Sequence, residues 1–389
     1  MLFIDRFVYT YTFHKKLLLL FGIWPSSYSW LQRIQISFFY LLFVISIILQ
    51  LANIFSSDCN FDCITRVLSI VLPNIIGATK FMYSHIYKTT VQKLFMRIEI
   101  DWEFLKDDEE SIEILREYRR NISMHIICVI AFFCCSFSST MVLIIIVTSP
   151  KEISDDCTEF SSLLLHFERN MYNSLGFMSM IGFIDCIFVL ISEATNAFIS
   201  EHVCGLFRIV GHHLRRACDV NAKLPLNERN DKICSKIIHA IRVHVRATKL
   251  MNTFWNLIGT SYVVIYLCGT ASISLNMINL VEDVRQTHSV RPVMTSVMSM
   301  LYVYVYFFFA NYFGQRVINH SVDIFHDAYN SRWYEIPIDT QKLYLFILQR
   351  SIKSSAYIIP GVLISSHEFL TTIVKVSFSC FTMLCSLQK

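Results

Sequence analysis

Apolar residues in this chain gather into long runs separated by charged stretches, rather than into the short amphipathic stripes of a water-soluble domain. Seven runs are long enough for a helix to cross about 30 Å of hydrocarbon, which takes about 20 residues: 34–54, 64–86, 124–147, 172–199, 254–280, 293–313 and 359–387. Backbone groups in lipid must bond within their own segment, so runs of this length predict helices and not strands. An earlier run, 17–24, is too short to span and is followed by no small-residue cleavage site. It is expected to be interfacial or buried, with no cleavable signal peptide. Pro73 and Lys80 in the second run, and Glu368 and Lys375 in the last, make those two less apolar, as expected of helices shielded by neighbours.

The longest polar stretch, between the fourth and fifth runs, has a pattern of its own. Pro225 followed by Asn227, Glu228 and Asn230 reads as a turn between two helical segments. Beyond it, Ile233, Ile237, Ile238, Ile241, Val245 and Leu250 recur at helical spacing, while Lys232, Lys236, Arg242, Arg246 and Lys249 take other faces. The fourth and fifth spans are therefore expected to continue outside the bilayer as long helices. A basic amphipathic helix either lies on anionic headgroups or packs against other protein, and the pattern allows both. A further short helix is expected over 339–353, capped by Asp339 or Thr340, with Leu343, Phe346, Ile347 and Leu348 as its apolar stripe.

Composition and charge add an orientation. Of 389 residues, 54% are hydrophobic and 16% charged, against roughly 25% charged in an ordinary soluble domain. Segments 1–33, 87–123, 200–253 and 314–358 hold most of the 34 Lys and Arg. The opposite side has Lys151, Arg169, Arg285, Arg291 and Lys389, and Arg66, Lys80 and Lys375 fall inside runs. Basic residues stay on the cytosolic side of short loops, so the N-terminus is expected inside and, after seven crossings, the C-terminus outside. The fold class is then all-α and polytopic, with the topology of a G-protein-coupled receptor reversed. Its parts are a cytosolic segment (1–33), spans one to four (34–199), a cytosolic helical extension (200–253), spans five and six (254–313), a second cytosolic segment (314–358) and the last span (359–389).

Most of the 13 cysteines lie in spans or cytosolic segments, where they read as small apolar side chains. Cys59, Cys63 and Cys157 fall on the oxidising side, where Cys157 could pair with either of the first two. The sequons at Asn121 and Asn319 lie on the cytosolic side and are expected to be unmodified.

Ionisable residues inside spans are costly and therefore informative. Lys80 and Glu193, each near the cytosolic end of its run, are expected to snorkel or to pair locally. Asp185, nearer mid-membrane, is expected to bond a neighbouring helix through Asn74 or Ser136, or to touch a ligand. Glu368 and Lys375 share one face of the last run, as suits a helix lining water.

Enzyme chemistry has no footing here. The chain has no phosphate-cradling glycine loop, nucleophile elbow or paired intramembrane carboxylates, and no cofactor or nucleic-acid partner is implied. His212–His213 and His239 with His244 lack a Cys or carboxylate at metal-ligand spacing, and basic neighbours oppose a cation, so no metal site is expected. Neither an inverted repeat nor matching glycine-broken helices suggest a transporter.

Near the C-terminus the residues become recognisable. Ala328, Tyr329, Ser331, Trp333 and Tyr334, and then Ser377, Phe378, Ser379, Phe381 and Thr382, resemble the two C-terminal motifs of insect odorant receptors. Cys380 and Val376 stand where that family commonly has an aromatic and a threonine. The resemblance implies a ligand-gated, non-selective cation channel in the plasma membrane of sensory neurons. It would bind a small volatile and form a heterotetramer with the odorant co-receptor subunit, with membrane lipid and permeating cations as its other partners. The cytosolic segment 314–358 would be the assembly anchor and the last span would line the pore. Gustatory-type chemoreceptor channels share the architecture but not this signature, and a non-channel seven-helix receptor signalling through intracellular partners is the other alternative.

In such a channel the ligand sits among the outer halves of the second, third, fourth and sixth spans. Here those halves offer Val71, Leu72, Asn74 and Ile75; Ser136, Phe137, Ser139 and Thr140; Tyr172, Phe177, Met180 and Phe183; and Met294, Val297, Met298, Leu301 and Tyr302. This apolar, Met- and aromatic-rich set suits a hydrophobic ligand with one or two polar groups. The resemblance places the gate at Met383 and Leu387, with Ser379 on the same helix and Ser386 beside the opening. Glu282 and Asp283 belong to an acidic external face expected to concentrate cations.

Overall fold

The computed structural model describes residues 19, 30–55, 60–147, 161–217, 225–286, 290–359 and 363–387, with the backbone alone for 132–147 and 161–179. Among the described residues nine α-helices follow in order: α1 Trp30–Ala52, α2 Phe61–Ile86, α3 Lys88–Leu105, α4 Glu109–Val147, α5 Ser161–Ala217, α6 Leu226–Gln286, α7 Val290–Tyr329, α8 Ile338–Ile352 and α9 His367–Leu387. A two-residue antiparallel pair, β1 Ile358–Ile359 and β2 Leu363–Ile364, precedes α9. By length and composition six of these helices, α1, α2, α5, α6, α7 and α9, can cross a membrane. The third predicted run forms the second half of α4.

Spans four and five do extend as single helices. Helix α5 has 57 residues and α6 has 61, and at 1.5 Å per residue each is about 90 Å long, roughly three bilayer cores. Their outer parts pack on each other. Ile233, Ile237, Val243 and Leu250 of α6 share one buried core with Val203, Phe207, Val210 and Leu214 of α5. Each such side chain contributes roughly 1.5–3 kcal/mol by leaving water. Only Val245 of the predicted stripe points away, 57% exposed. Packing, and not headgroup binding, therefore occupies the apolar face.

Buried ion pairs fasten the neighbouring elements to this pair of helices. The Asp101 carboxylate of α3 accepts from Arg246 of α6 at 2.8 Å and lies 3.5 Å from His202 of α5. Arg316 of α7 engages Glu201 of α5 at 2.8 and 2.6 Å. The signature residue Ser331 bonds the Tyr344 hydroxyl at 2.6 Å, and that hydroxyl's single proton has the carbonyls of Ala328 and Leu214 within reach at 3.2 and 3.3 Å. One tyrosine thus pins α8 onto the ends of α5 and α7.

Several helix starts differ from expectation for local reasons. Helix α9 begins at His367, not near 359, because Ser365 and Ser366 fasten sideways to Ala310 and Asn311 of α7 and the Ser366 hydroxyl then caps Phe369 N–H at 3.2 Å. Pro337, not Asp339 or Thr340, precedes α8 and accepts from Thr340 N–H at 2.9 Å, leaving Asp339 to pair with Lys342. Pro225 starts α6 directly, so Asn227, Glu228 and Asn230 fall in its first turns. Cys63 is disulfide-bonded, which fits the oxidising side for the start of α2. The expected pairing with Cys157 and the reading of 17–24 lie outside the described residues.

Inside the membrane region, Phe39, Phe81 and Phe188 of α1, α2 and α5 meet with ring centroids 4.7 to 5.6 Å apart. Beneath them Lys80 donates to Glu193 at 2.9 Å, with both groups buried. Asn196 donates to the other Glu193 oxygen at 3.2 Å and to the Tyr262 hydroxyl at 3.0 Å, and Lys80 lies over the Tyr262 ring. The expected local pairing is thus a cross-helix pair joining α2 to α5 and, through Asn196, to α6.

Removing one partner strands a buried charge. Lys80→Met is expected to cost about 3–5 kcal/mol. Lys80→Met with Glu193→Leu is expected to recover most of that, read as the melting midpoint of solubilised protein. A second expectation concerns acid. His244, buried on the α6 extension, has its pKa pushed down from 6.5 to about 4 by burial and then by Arg350. The unfolded chain takes up this proton first. Stability is therefore fully present above about pH 6.5 and falls by up to about 1.4 kcal/mol per pH unit as pH drops toward 4. His244→Phe should flatten that part of the melting-versus-pH curve.

Candidate functional site

The outer halves of α2, α5 and α7 place the predicted pocket residues in three environments. Val71 and Asn74 are buried and Leu72, Ile75, Met298 and Tyr302 half-buried, whereas Met180, Phe183, Met294, Val297 and Leu301 are exposed on the isolated chain. The side chains of Ser136, Phe137, Ser139, Thr140, Tyr172 and Phe177 lie outside the described set. Tyr302 packs on a buried cluster that includes Ile76 of α2, Cys186 and Val189 of α5, and Val303, Tyr306 and Phe307 of α7. Three of the four expected helices therefore meet at one place.

Asp185 stands in that region. Its carboxyl group is buried against Gly77 of α2, where a Cβ would overlap it. Neither oxygen has a hydrogen-bond partner among the described residues, so no bond to Asn74 forms. A sealed, unpartnered polar group of this kind costs on the order of 1–3 kcal/mol or more. Natural structures keep such groups rarely, and often for a function.

Helix α9 has two unlike faces. Glu368, Thr371, Thr372, Lys375, Ser379, Thr382 and Ser386 are all exposed. Their spacing puts them within an arc of about 100°. Opposite them Leu370, Ile373 and Ser377 are buried, and the Ser377 carbonyl accepts from Ser274 of α6 at 2.9 Å. The hydroxyls of Thr371, Thr372, Thr382 and Ser386 donate back to their own helix at 2.7 to 3.2 Å. Their oxygens remain free to accept from water or meet a cation. Met383, 57% exposed, borders the stripe, whereas the Leu387 side chain is not among those described.

Comparison with known proteins agrees with this architecture. A family model described as 7tm Odorant receptor matches residues 60–378. The chain belongs to the odorant receptor family. Odorant receptor 30a of Drosophila melanogaster is 26% identical over 158 residues, a stretch spanning 40% of this chain and 40% of that receptor. The fold is similar to that of the insect olfactory receptor OR5 from Machilis hrabei, with a TM-score of 0.68 at 12% identity over 97% of this chain and 98% of that one. The same receptor in complex with eugenol gives 0.65 at 11% identity over 97% of each chain.

On this receptor one expected vestibule charge lies elsewhere. Asp283 is buried, pairs with Arg66 of α2 and accepts from Ser296 at 3.3 Å. It ties α2 to α6 beside a second polar link, Thr65 to Asn279 at 2.8 Å, so the external-face reading passes to half-buried Glu282. Sequence reasoning placed Arg66 in a span but not its partner, because the pair joins helices remote in sequence. A small cavity of about 40 Å³ borders Lys80, Ser192, Asn196 and Tyr262. That is room for a few waters, not for a volatile ligand.

The contact between α2 and α5 can be tested directly. Gly77→Ala is expected to lower the amount of folded receptor, and Gly77→Ala with Asp185→Ala to restore it, measured by size-exclusion profiles. Independent effects of the two changes would remove the contact.

Proposed function

We propose that this odorant receptor is the ligand-binding subunit of a non-selective cation channel, opened by a small hydrophobic volatile and assembled as a heterotetramer with the odorant co-receptor in sensory-neuron plasma membrane. The observation that carries this reading is the polar stripe of α9. Glu368 and Lys375 cannot face lipid at acceptable cost, and the opposite side of the helix is occupied by α6 and α7. The stripe therefore needs water or other subunits, and a pore formed by several copies of α9 supplies both. Exposed Tyr329, Tyr334, Ile338, Phe346 and Ile352 form an apolar surface around α8, suited to subunit packing in the anchor.

The ligand's site is proposed at the outer meeting of α2, α4, α5 and α7, lined by the residues named above, with Asp185 as its orienting polar group. Eugenol, bound by the Machilis receptor, is a molecule of this class: small, mostly apolar and bearing a hydroxyl. The test is ligand-evoked current from purified receptor and co-receptor in a bilayer free of nucleotide and other proteins. Current there excludes signalling through an intracellular partner, and its absence with every ligand of a broad panel would overturn the channel reading. Tyr302→Ala and Asp185→Asn are expected to shift ligand potency several-fold with surface assembly intact.

The gate is proposed at Met383 and Leu387, one turn apart at the external end of α9. An apolar ring shuts a narrow pore by dewetting. Met383→Ser or Leu387→Ser, expressed with the co-receptor, is expected to raise ligand-free current or alter ion selectivity. The effect is expected to be partial, since co-receptor subunits supply the rest of the ring. Wild-type leak and selectivity in both mutants would take these residues out of the pore.

A further inference from the structure

The turn between α3 and α4, the last turn of α5 and the middle of the α6 extension bring Asp108, His213 and His239 together. One ligand atom from each lies within 4.8 Å of the other two. The Asp108 Oδ2 atom is 3.0 Å from His213 Nε2. The rings of His213 and His239 stand 4.9 Å apart, nearly perpendicular. The His239 Nε2 atom is buried and has no hydrogen-bond partner among the described residues. Phe104 stacks flat on the His239 ring and fixes its plane.

We propose that this cluster is a binding site for a divalent transition-metal ion of the zinc type, held by one imidazole nitrogen from each histidine and a carboxylate oxygen of Asp108. Two imidazoles and one carboxylate are the donor set of zinc and its neighbours, whereas calcium and magnesium prefer all-oxygen shells. Metal bonds of about 2.0–2.2 Å place tetrahedral ligand atoms about 3.3 Å apart. The Asp108–His213 distance is already close to this, and His239 closes the third side by a small swing. The fourth position is left to water. The Ser111 hydroxyl donates to Asp108 Oδ2 at 2.6 Å and lies 3.0 Å from His213 Nε2, so it bridges the two groups and must turn from His213 when the ion binds.

Two of the basic neighbours that argue against a cation are themselves engaged, while Arg242 stands near His239 and opposes the ion. Arg216 pairs with Glu110, which also accepts from His212, and Lys236 donates to the Arg216 carbonyl at 3.4 Å. Local spacing cannot reveal the site because its carboxylate comes from a different helix pair. A bound ion would staple the α3–α4 turn to the ends of α5 and α6.

Cobalt(II) reports on such a site through its visible d–d absorption. The experiment uses the full-length chain in lipid nanodiscs, stripped with chelator and titrated with Co²⁺. The expected result is one tetrahedral-type ion per chain, displaced by Zn²⁺ and without the sulfur charge-transfer band that the chain's 13 cysteines would give. His213→Ala, His239→Ala and Asp108→Asn should each abolish it, while His326→Ala, an exposed histidine on α7, should retain it. Zn²⁺ should also raise the melting midpoint of the unmutated chain, a reading that needs no variant to fold. No Co²⁺ spectrum and no Zn²⁺-dependent midpoint shift, or a spectrum that survives in the His213→Ala/His239→Ala double variant, would overturn the site.

Discussion

A charge inside a hydrocarbon layer persists only if it meets a partner across a helix boundary or reaches water, and this rule organises the receptor. Lys80 with Glu193 and Arg66 with Asp283 take the first route. Each pair joins two spans, one toward the cytosolic end of α2 and one toward its external end. Helix α2 is thereby held at both ends, to α5 below and α6 above, and its middle carries Asn74 and Gly77 between those clamps. Glu368 and Lys375 have no partner among the described residues and stay exposed on α9, and the proposed pore gives them the second route. Asp185 is buried with no partner among the described residues, which separates it from these charges and makes it the polar group proposed to meet the ligand.

Outside the bilayer the same logic operates at lower cost. Asp101 and Glu201 are fully buried, and each is met by an arginine from another helix. The interleaved apolar faces of α5 and α6 supply the bulk of the burial there. The buried pairs decide which elements sit against them, since an unpaired Asp101 or Glu201 would penalise any alternative docking of α3 or α7. A rigid extension fixed in this way can carry the signature residues around α8 in a defined orientation. Exposed aromatics on a wobbling segment would make poor assembly contacts.

What was legible in the sequence follows from the range of each interaction. The spans and the long α5 and α6 extensions were readable because hydropathy and helical periodicity are local properties. The polar stripe of α9 was half visible in the Glu368–Lys375 spacing for the same reason. Long-range partners were not. Nothing near Asp283 announces Arg66, so an external-face charge was expected where a buried pair exists, and nothing near His213 announces Asp108. The start of α9 was misplaced because Ser365 and Ser366 bond to α7, an interaction no local pattern contains. The meeting of α2, α5 and α7 was legible as a region, but which of its residues face ligand was not, since apolar residues facing ligand, lipid and neighbouring helix look alike in sequence.

On the proposed reading, one packed cluster links the pocket to the pore. Tyr302, on the side of α7 proposed for the pocket, packs on the cluster formed by Val303, Tyr306 and Phe307 of its own helix and Ile373 of α9. Phe307 also presses on Gly269 of α6, where no side chain larger than hydrogen would fit. Ile373 lies on the face of α9 opposite the polar stripe. A ligand bound at the proposed site that moved Tyr302 would therefore move side chains in contact with α9, because close-packed interiors shift as units and do not absorb displacements in voids. The Ser274 bond to the Ser377 carbonyl holds the middle of α9 to α6, while Gly314 admits Ser365 close against α7 at its inner start. With its inner start and its middle both tethered, α9 can answer such a push by rotating or tilting about those tethers. Either motion would change which side chains, Met383 or the adjacent Ser386, face the axis of the proposed pore.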